Sequence, residues 1–195
     1  MVKARIARTW QALRNGWKRH LVTLMLAWLA VVAVDTWRSR DLPRGPAPDA
    51  TLLMASGAEG VSGSSPATLE QWRAQHAGRA VALHFWAEWC PVCKLEEPSV
   101  SAIAADWPVL GIAMQSGDAG RVGRIQQQRA MRWPSAVDPQ GTLSRAWGVQ
   151  AVPALVVIDA HGRIRFSTTG YTPEWAMRLR LWWAQVVPSR ELPHR

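Results

Sequence analysis

A chain of 195 residues with 48% hydrophobic side chains can bury one ordinary domain core plus an appendage, which excludes a disordered tail. The formal charge of +9 is uneven: residues 1–44 carry nine Lys/Arg against Asp35 and Asp41, whereas the remainder carries fourteen against twelve Asp/Glu. Positive charge gathered beside an apolar run is a membrane topology signal and not a nucleic-acid groove, so no nucleic-acid partner is expected.

In chain order, residues 1–20 form a basic segment expected in the cytoplasm, followed by a single transmembrane anchor over 21–37. Leu21 to Val34 carries no charge, but these fourteen residues fall short of the roughly 20 that span a bilayer. The flanks extend the span: Trp17 and Trp37 stand 20 residues apart, a separation suited to the two headgroup layers, and Lys18 and Arg19 can snorkel. Six Lys/Arg precede the apolar run and three follow it, so the positive-inside rule exports everything after Trp37. The competing reading is a signal peptide cleaved after Val31-Val32-Ala33.

Residues 38–50 hold three prolines and a glycine between 38 and 50 and read as an extended tether. The domain is expected over 51–187, with a weak hairpin from 51–54 and 57–63. Helix is expected over Ala67 to His76, strand over Ala80 to Trp86, then a helix opening at Cys90 or Pro91 and running to about Asp106. Next come a strand over Val109 to Met114, a helix near Ala119 to Met131 and a short helix over Leu143 to Trp147. Strands over Ala154 to Asp159 and Ile164 to Thr168 are joined by a His161-Gly162 turn, and a last helix runs from Pro173 to about Gln185. Residues 188–195 form a C-terminal tail. Strands alternating with helices and closing in a hairpin plus helix predict an α/β domain with a mixed central sheet flanked by helices.

Only two cysteines occur, at 90 and 93, which excludes a disulfide scaffold and a four-cysteine zinc site. A disulfide catalyst needs one ionised, exposed thiol and a second within reach to resolve the mixed disulfide. Cys90-Pro91-Val92-Cys93 supplies both, because a strand running into a helix puts Cys90 at the helix N-terminus, where unpaired N–H groups favour a thiolate. Pro91 suits the first helical turn. The alternatives are half a zinc site with His84 or His76, or an inert buried pair. A proline at 98, inside the same helix, breaks a rule worth roughly 3 kcal/mol beside this motif.

Phe85-Trp86-Ala87-Glu88-Trp89-Cys90-Pro91-Val92-Cys93-Lys94-Leu95-Glu96-Glu97-Pro98 resembles the active-site segment of membrane-anchored thioredoxin-like proteins of the TlpA and ResA type. The resemblance implies a thioredoxin fold, makes Pro98 the helix-kinking proline and makes Glu96 the acidic residue kept beside the disulfide. Trp147-Gly148-Val149-Gln150-Ala151-Val152-Pro153-Ala154 resembles the cis-proline loop of this family, which makes Pro153 the expected cis residue; a turn proline is the other reading. Over about residues 65–185 the chain is similar to the protein disulfide oxidoreductase group related to suppressor of copper sensitivity protein D. Gln115-Ser116-Gly117-Asp118, Asp138-Pro139-Gln140-Gly141 and Gly170-Tyr171-Thr172-Pro173-Glu174-Trp175 carry that similarity. The Pro-Glu-Thr that marks dedicated cytochrome c maturation thioredoxins is not found after the loop.

The expected catalytic residues are Cys90, Cys93 and Glu96. Cys90 thiolate attacks a substrate disulfide, Cys93 resolves the mixed disulfide, and Glu96 takes the Cys93 proton, with Glu97 and Glu88 as rival carboxylates and a solvated, unpaired Glu96 as the alternative. Trp89, Pro91, Val92, Val152 and Pro153 are the expected substrate surface, whereas Trp86 and the stripe Trp175, Leu179 and Trp182 are expected in the core, with a docking face for a partner or the bilayer as the alternative for that stripe. No cofactor and no metal are called for. The resemblance implies a reductase of exported protein disulfides linked to copper or redox stress or to cytochrome c biogenesis. It also implies a membrane electron donor of the DsbD/ScsB type, an inner-membrane anchor and a periplasmic catalytic domain. A Cu(I)-binding module and a redox-inert partner-binding module are the alternatives.

Overall fold

The computed structural model describes residues 20–26, 29, 45–55 and 68–187. The chain divides into two units, Met1–Arg40 and Asp41–Arg195. In the first, residues 20–26 and 29 are helical. The rest of the basic segment and of the expected anchor lies outside the described residues, as do 38–44 of the tether, 57–63 of the hairpin and the tail 188–195. Among the described residues no helix is long and apolar enough to cross a membrane.

The second unit is built on a mixed sheet of six strands: β1 (Gly45–Pro46), β2 (Val81–Trp86), β3 (Val109–Met114), β4 (Ser135–Asp138), β5 (Ala154–Ile158) and β6 (Arg163–Thr169), in the order β1-β6-β5-β2-β3-β4. The helices are α1 (Leu69–Ala74), α2 (Pro91–Ala104), α3 (Ala119–Gln128), α4 (Thr142–Ala146) and α5 (Glu174–Val186). β2 lies in the interior of the sheet, parallel to β3 and antiparallel to β5, and all of its residues are buried, as a largely apolar run between two covered faces requires.

Side chains of β2 alternate between the two layers. Val81, Leu83 and Phe85 pack with Leu69 and Trp72 of α1 and with Trp147 after α4. Ala80 and Ala82 pack with Val100 and Ile103 of α2 and with Met177, Leu181 and Ala184 of α5. Further along this second face, Trp86 joins Cys90, Cys93, Val122 and Ile125. Each large apolar side chain removed from water there is worth about 1.5–3 kcal/mol, so the turn after β2 is seated on a packed base.

Local chemistry sets the helix starts. Thr68 accepts from Gln71 N–H, and Asp118 from Arg121 N–H. Gly141, in the left-handed region at φ 69°, precedes α4 without a side-chain cap, and the Asp138 carboxylate accepts from Leu143 and Ser144 N–H instead. Pro98 lies inside α2, which continues past it to Ala104.

Four expectations change. Gly45–Pro46, expected in the tether, forms the edge strand β1 against Ile164 and Arg163 of β6, where a proline costs no central ladder bond. Thr51 and Met54, expected in a hairpin, bridge to Thr68 and Ala136. β4, a short run between Pro134 and Pro139 with no strand expected, pairs parallel to β3 at the sheet edge. The stripe Trp175, Leu179 and Trp182 expected in the core is 52–70% exposed; α5 buries Met177, Leu181 and Ala184 instead.

Candidate active site

Cys90 is the N-cap of α2, with extended backbone (φ −87°, ψ 110°), and its Sγ accepts the N–H of Cys93 at 3.1 Å. The sulfur therefore sits where an N-capping oxygen ordinarily sits, in the field of the α2 N-terminus, and that field favours the thiolate. Pro91 follows at the first helical position, where no N–H is needed. Cys90 and Cys93 are joined as a disulfide.

Across from the sulfurs lies the loop before β5. The Val152–Pro153 peptide is cis, as the resemblance implied, and the Val152 carbonyl oxygen lies 3.6 Å from Cys90 Sγ. Gly170, with φ 103°, donates its N–H to the Pro153 carbonyl at 2.7 Å and ties this loop to the end of β6. Cys90, expected to be exposed, is only 3% accessible in the disulfide form, because the Val152 loop and its own helix cover it. Its neighbours remain open: Trp89 is 59% exposed, Val92 38%, and Pro91 is exposed as well.

Behind the disulfide, Glu96 sits one helical turn beyond Cys93, and both side chains are buried. The reading of Glu96 as a solvated, unpaired carboxylate is overturned, since Oε2 lies 2.9 Å from His84 Nε2 on β2 and Oε1 accepts the Thr172 N–H at 2.5 Å. The rival carboxylates are engaged by cations. Glu97 pairs with Arg129 at 2.8 Å, and Glu88 accepts from both Nε and Nη2 of Arg121. The backbone N–H of Glu88 donates to Ser116 Oγ, which passes the bond on to the Met114 carbonyl, so the turn carrying Trp89 is fastened to the end of β3. Beside it opens a cleft of about 600 Å³ lined by Trp89, Lys94, Gln115, Ser116, Arg121 and Arg129.

This arrangement, a helix-capping sulfur in a disulfide opposite a cis-proline loop, also places the chain among known proteins. The sequence pattern of the AhpC/TSA family matches residues 44–167. The chain belongs to the AhpC/TSA family. Among its relatives, a thioredoxin-like protein of Haemophilus influenzae is 27% identical over 53% of this chain and 62% of its own length. A thiol:disulfide interchange protein DsbE homolog of Paracoccus denitrificans is 34% identical over 45% of this chain and 49% of its own. The chain thus spans about half to three fifths of the length of these relatives. The crystal structure of a thiol:disulfide interchange protein, thioredoxin family, from Chlorobium tepidum superimposes with a TM-score of 0.59 at 21% identity, covering 73% of this chain and 97% of that one, which shows a shared thioredoxin fold.

Within this AhpC/TSA-family site the structure brings together Cys90, Cys93, Pro91, Val152 and Pro153, and it places Trp89 and Val92 at the rim. Two partners of Glu96 were not anticipated. His84 carries a visible signal, a single titratable side chain inside the apolar run Val81-Ala82-Leu83-His84-Phe85-Trp86, which when buried demands a polar partner. Thr172 contributes a backbone N–H, for which no side-chain pattern exists.

Proposed function

We propose that this chain is a membrane-anchored periplasmic thiol–disulfide oxidoreductase that reduces exported proteins through Cys90 and Cys93. The observation that carries the reading is the N-capping position of Cys90 Sγ, 3.1 Å from the Cys93 N–H and facing the Val152 carbonyl. In the reduced protein the Cys90 thiolate attacks one sulfur of a substrate disulfide, forming the Cys90–substrate bond and releasing the other substrate sulfur as a thiolate. Cys93 then gives its proton to Glu96 and attacks Cys90 Sγ. The Cys90–Cys93 bond forms, the mixed disulfide breaks, and the second substrate sulfur leaves as a thiolate that takes a proton from water. Glu96 suits the base role better than Glu97 or Glu88, because those two are held by arginines and Glu96 is buried on the same helical stripe as Cys93.

The rim residues Trp89, Pro91 and Val92 and the loop residues Val152 and Pro153 form the surface that meets an extended substrate segment, in the manner of strand addition to exposed backbone. A membrane donor of the DsbD/ScsB type returns electrons to the pair, in a role tied to copper or redox stress. The charge asymmetry and tryptophan flanks support residues 21–37 as the anchor, as do Leu21, Leu24 and Leu26, which are 50–66% exposed on their helix.

Insulin-disulfide reduction by the full chain in detergent tests the activity: wild type reduces insulin and Cys90→Ser does not. Equal rates in the two would end the reading, as would Cu(I) binding without any disulfide exchange. Mass spectrometry of the mature N-terminus tests the anchor, which a chain beginning near Val34 would exclude.

A further inference from the structure

His84 is a buried polar group that the mechanism above leaves without a task. It is wholly buried, its Nε2 faces Glu96 Oε2 at 2.9 Å, and its Nδ1 has no hydrogen-bond partner. Its other close neighbour is the Trp133 ring, edge-on at 6.2 Å between centroids. Two bare lone pairs do not face each other at 2.9 Å in a buried site, so one proton lies between Nε2 and Oε2. The opposite oxygen, Oε1, is committed to accepting the Thr172 N–H.

We propose that His84 is a positioning residue for the resolving step: as the Nε2–H tautomer it donates to Glu96 and keeps that carboxylate ionised and able to receive the Cys93 proton. This rests on the reading of Glu96 as the base. A carboxylate taken out of water loses its hydration, and donors aimed at the charged form restore what burial removes. Here two donors do so, one from β2 and one from the turn before α5, one on each oxygen. The bare Nδ1 fits this assignment, because a neutral Nε2–H imidazole has an acceptor there, whereas a carboxylic acid donating to Nε2 would force an Nδ1–H donor into a site with no acceptor.

The surroundings leave few other charges to do this. On α2, Glu97 is paired with Arg129 of the α3 end. On α5, Arg178 is occupied by Asp106 and Glu174, and Arg180 donates to Thr168. From β3 and β5 the residues in register with His84 are Gly111 and Leu155. Lys94 of α2 and Tyr171, beside Thr172, are exposed, and Cys93 is the buried titratable group one helical turn from Glu96.

Reaction of the reduced full chain with 5,5′-dithiobis(2-nitrobenzoate) separates the steps, since Cys90 attack releases the first thionitrobenzoate and Cys93 resolution releases the second. In His84→Leu the pH midpoint of the second phase moves upward, and a move of one unit slows that phase about tenfold on the acid side. The first phase stays as in wild type. His84→Gln, whose Nε2–H can still donate, recovers most of the second phase. Second phases that coincide in wild type and His84→Leu overturn the assignment, and so does equal slowing of both phases. Glu96→Gln separates the two layers of inference. If it leaves the second phase unchanged, the base reading fails. If it slows the second phase while His84→Leu does not, only the role of His84 fails. Should His84→Leu not fold, imidazole ¹⁵N shifts of His84 in the reduced wild-type chain decide: Nε2–H is expected across the active pH range, and neutral Nδ1–H overturns the proposal.

Discussion

Thr172 donates its backbone N–H to Oε1 of Glu96 at 2.5 Å, although 76 positions separate the two residues. Two residues earlier in the same turn, Gly170 donates to the carbonyl of Pro153. One short segment after β6 therefore holds both the cis-proline loop in front of the disulfide and the carboxylate behind it. The two sides of the site are registered to each other through two backbone N–H donors of one turn, one bonded to the Pro153 carbonyl and the other to the Glu96 side chain.

From this follows a stability cost at a residue proposed for proton transfer. Glu96→Ala strands the Thr172 N–H and the His84 imidazole without their acceptor in a buried place, at about 1–3 kcal/mol each. Urea unfolding of the oxidised domain should show a loss of roughly 3 kcal/mol. Glu88→Ala, which removes a partly exposed pair with Arg121, should cost less than about 1 kcal/mol.

The two cysteines should fail differently. Cys90→Ser removes the attacking sulfur and leaves no insulin reduction. Cys93→Ser retains attack and loses resolution, so mass spectrometry should find the substrate covalently attached at Cys90, releasable by dithiothreitol.

A glycine in β3 is held by close approach. A methyl at Gly111 would overlap Ser135 Oγ and lie 2.9 Å from the Nε1 atoms of both Trp133 and Trp86. Trp86 Nε1 and Gln126 Nε2 donate to Ser135 Oγ, and the Trp133 side chain is buried beside them, so these groups have little room to yield. Gly111→Ala should lower stability by about 1–3 kcal/mol, read from the thermal midpoint.

His76 gives the domain a pH dependence away from the site. Its ring stands edge-on to Trp72 at 4.9 Å, and burial, followed by the nearby Arg79 guanidinium, holds its pKa below the ordinary 6.5. The fold thus favours the neutral ring, and below the ordinary value the unfolded chain binds the proton more readily. Its contribution is complete above the unfolded pKa and is lost as pH falls through the lower folded one. Urea midpoints measured from about pH 7.5 down to 5 should decline, and His76→Gln should flatten that decline.

The sequence by itself determined whatever depends on neighbours within a few residues. The apolar run at 81–86, the helix opening at Pro91 and the Cys-x-x-Cys register are local, and the helices and strands expected from residue 67 onward stand within three residues of their expected bounds. β4 escaped because four residues between prolines carry no period, and it becomes a strand only through pairing with β3. Tertiary structure alone decided the face of α5, because Trp175, Leu179 and Trp182 share the same four-then-three spacing as Met177, Leu181 and Ala184. A helical period names a stripe, and docking on the sheet selects which stripe is covered. The surroundings of Glu96 were decided in the same way. Its acceptor oxygens are satisfied by a ring 12 residues away and an N–H 76 residues away, partners that only the packing of α2 between β2 and the turn before α5 brings within hydrogen-bond distance.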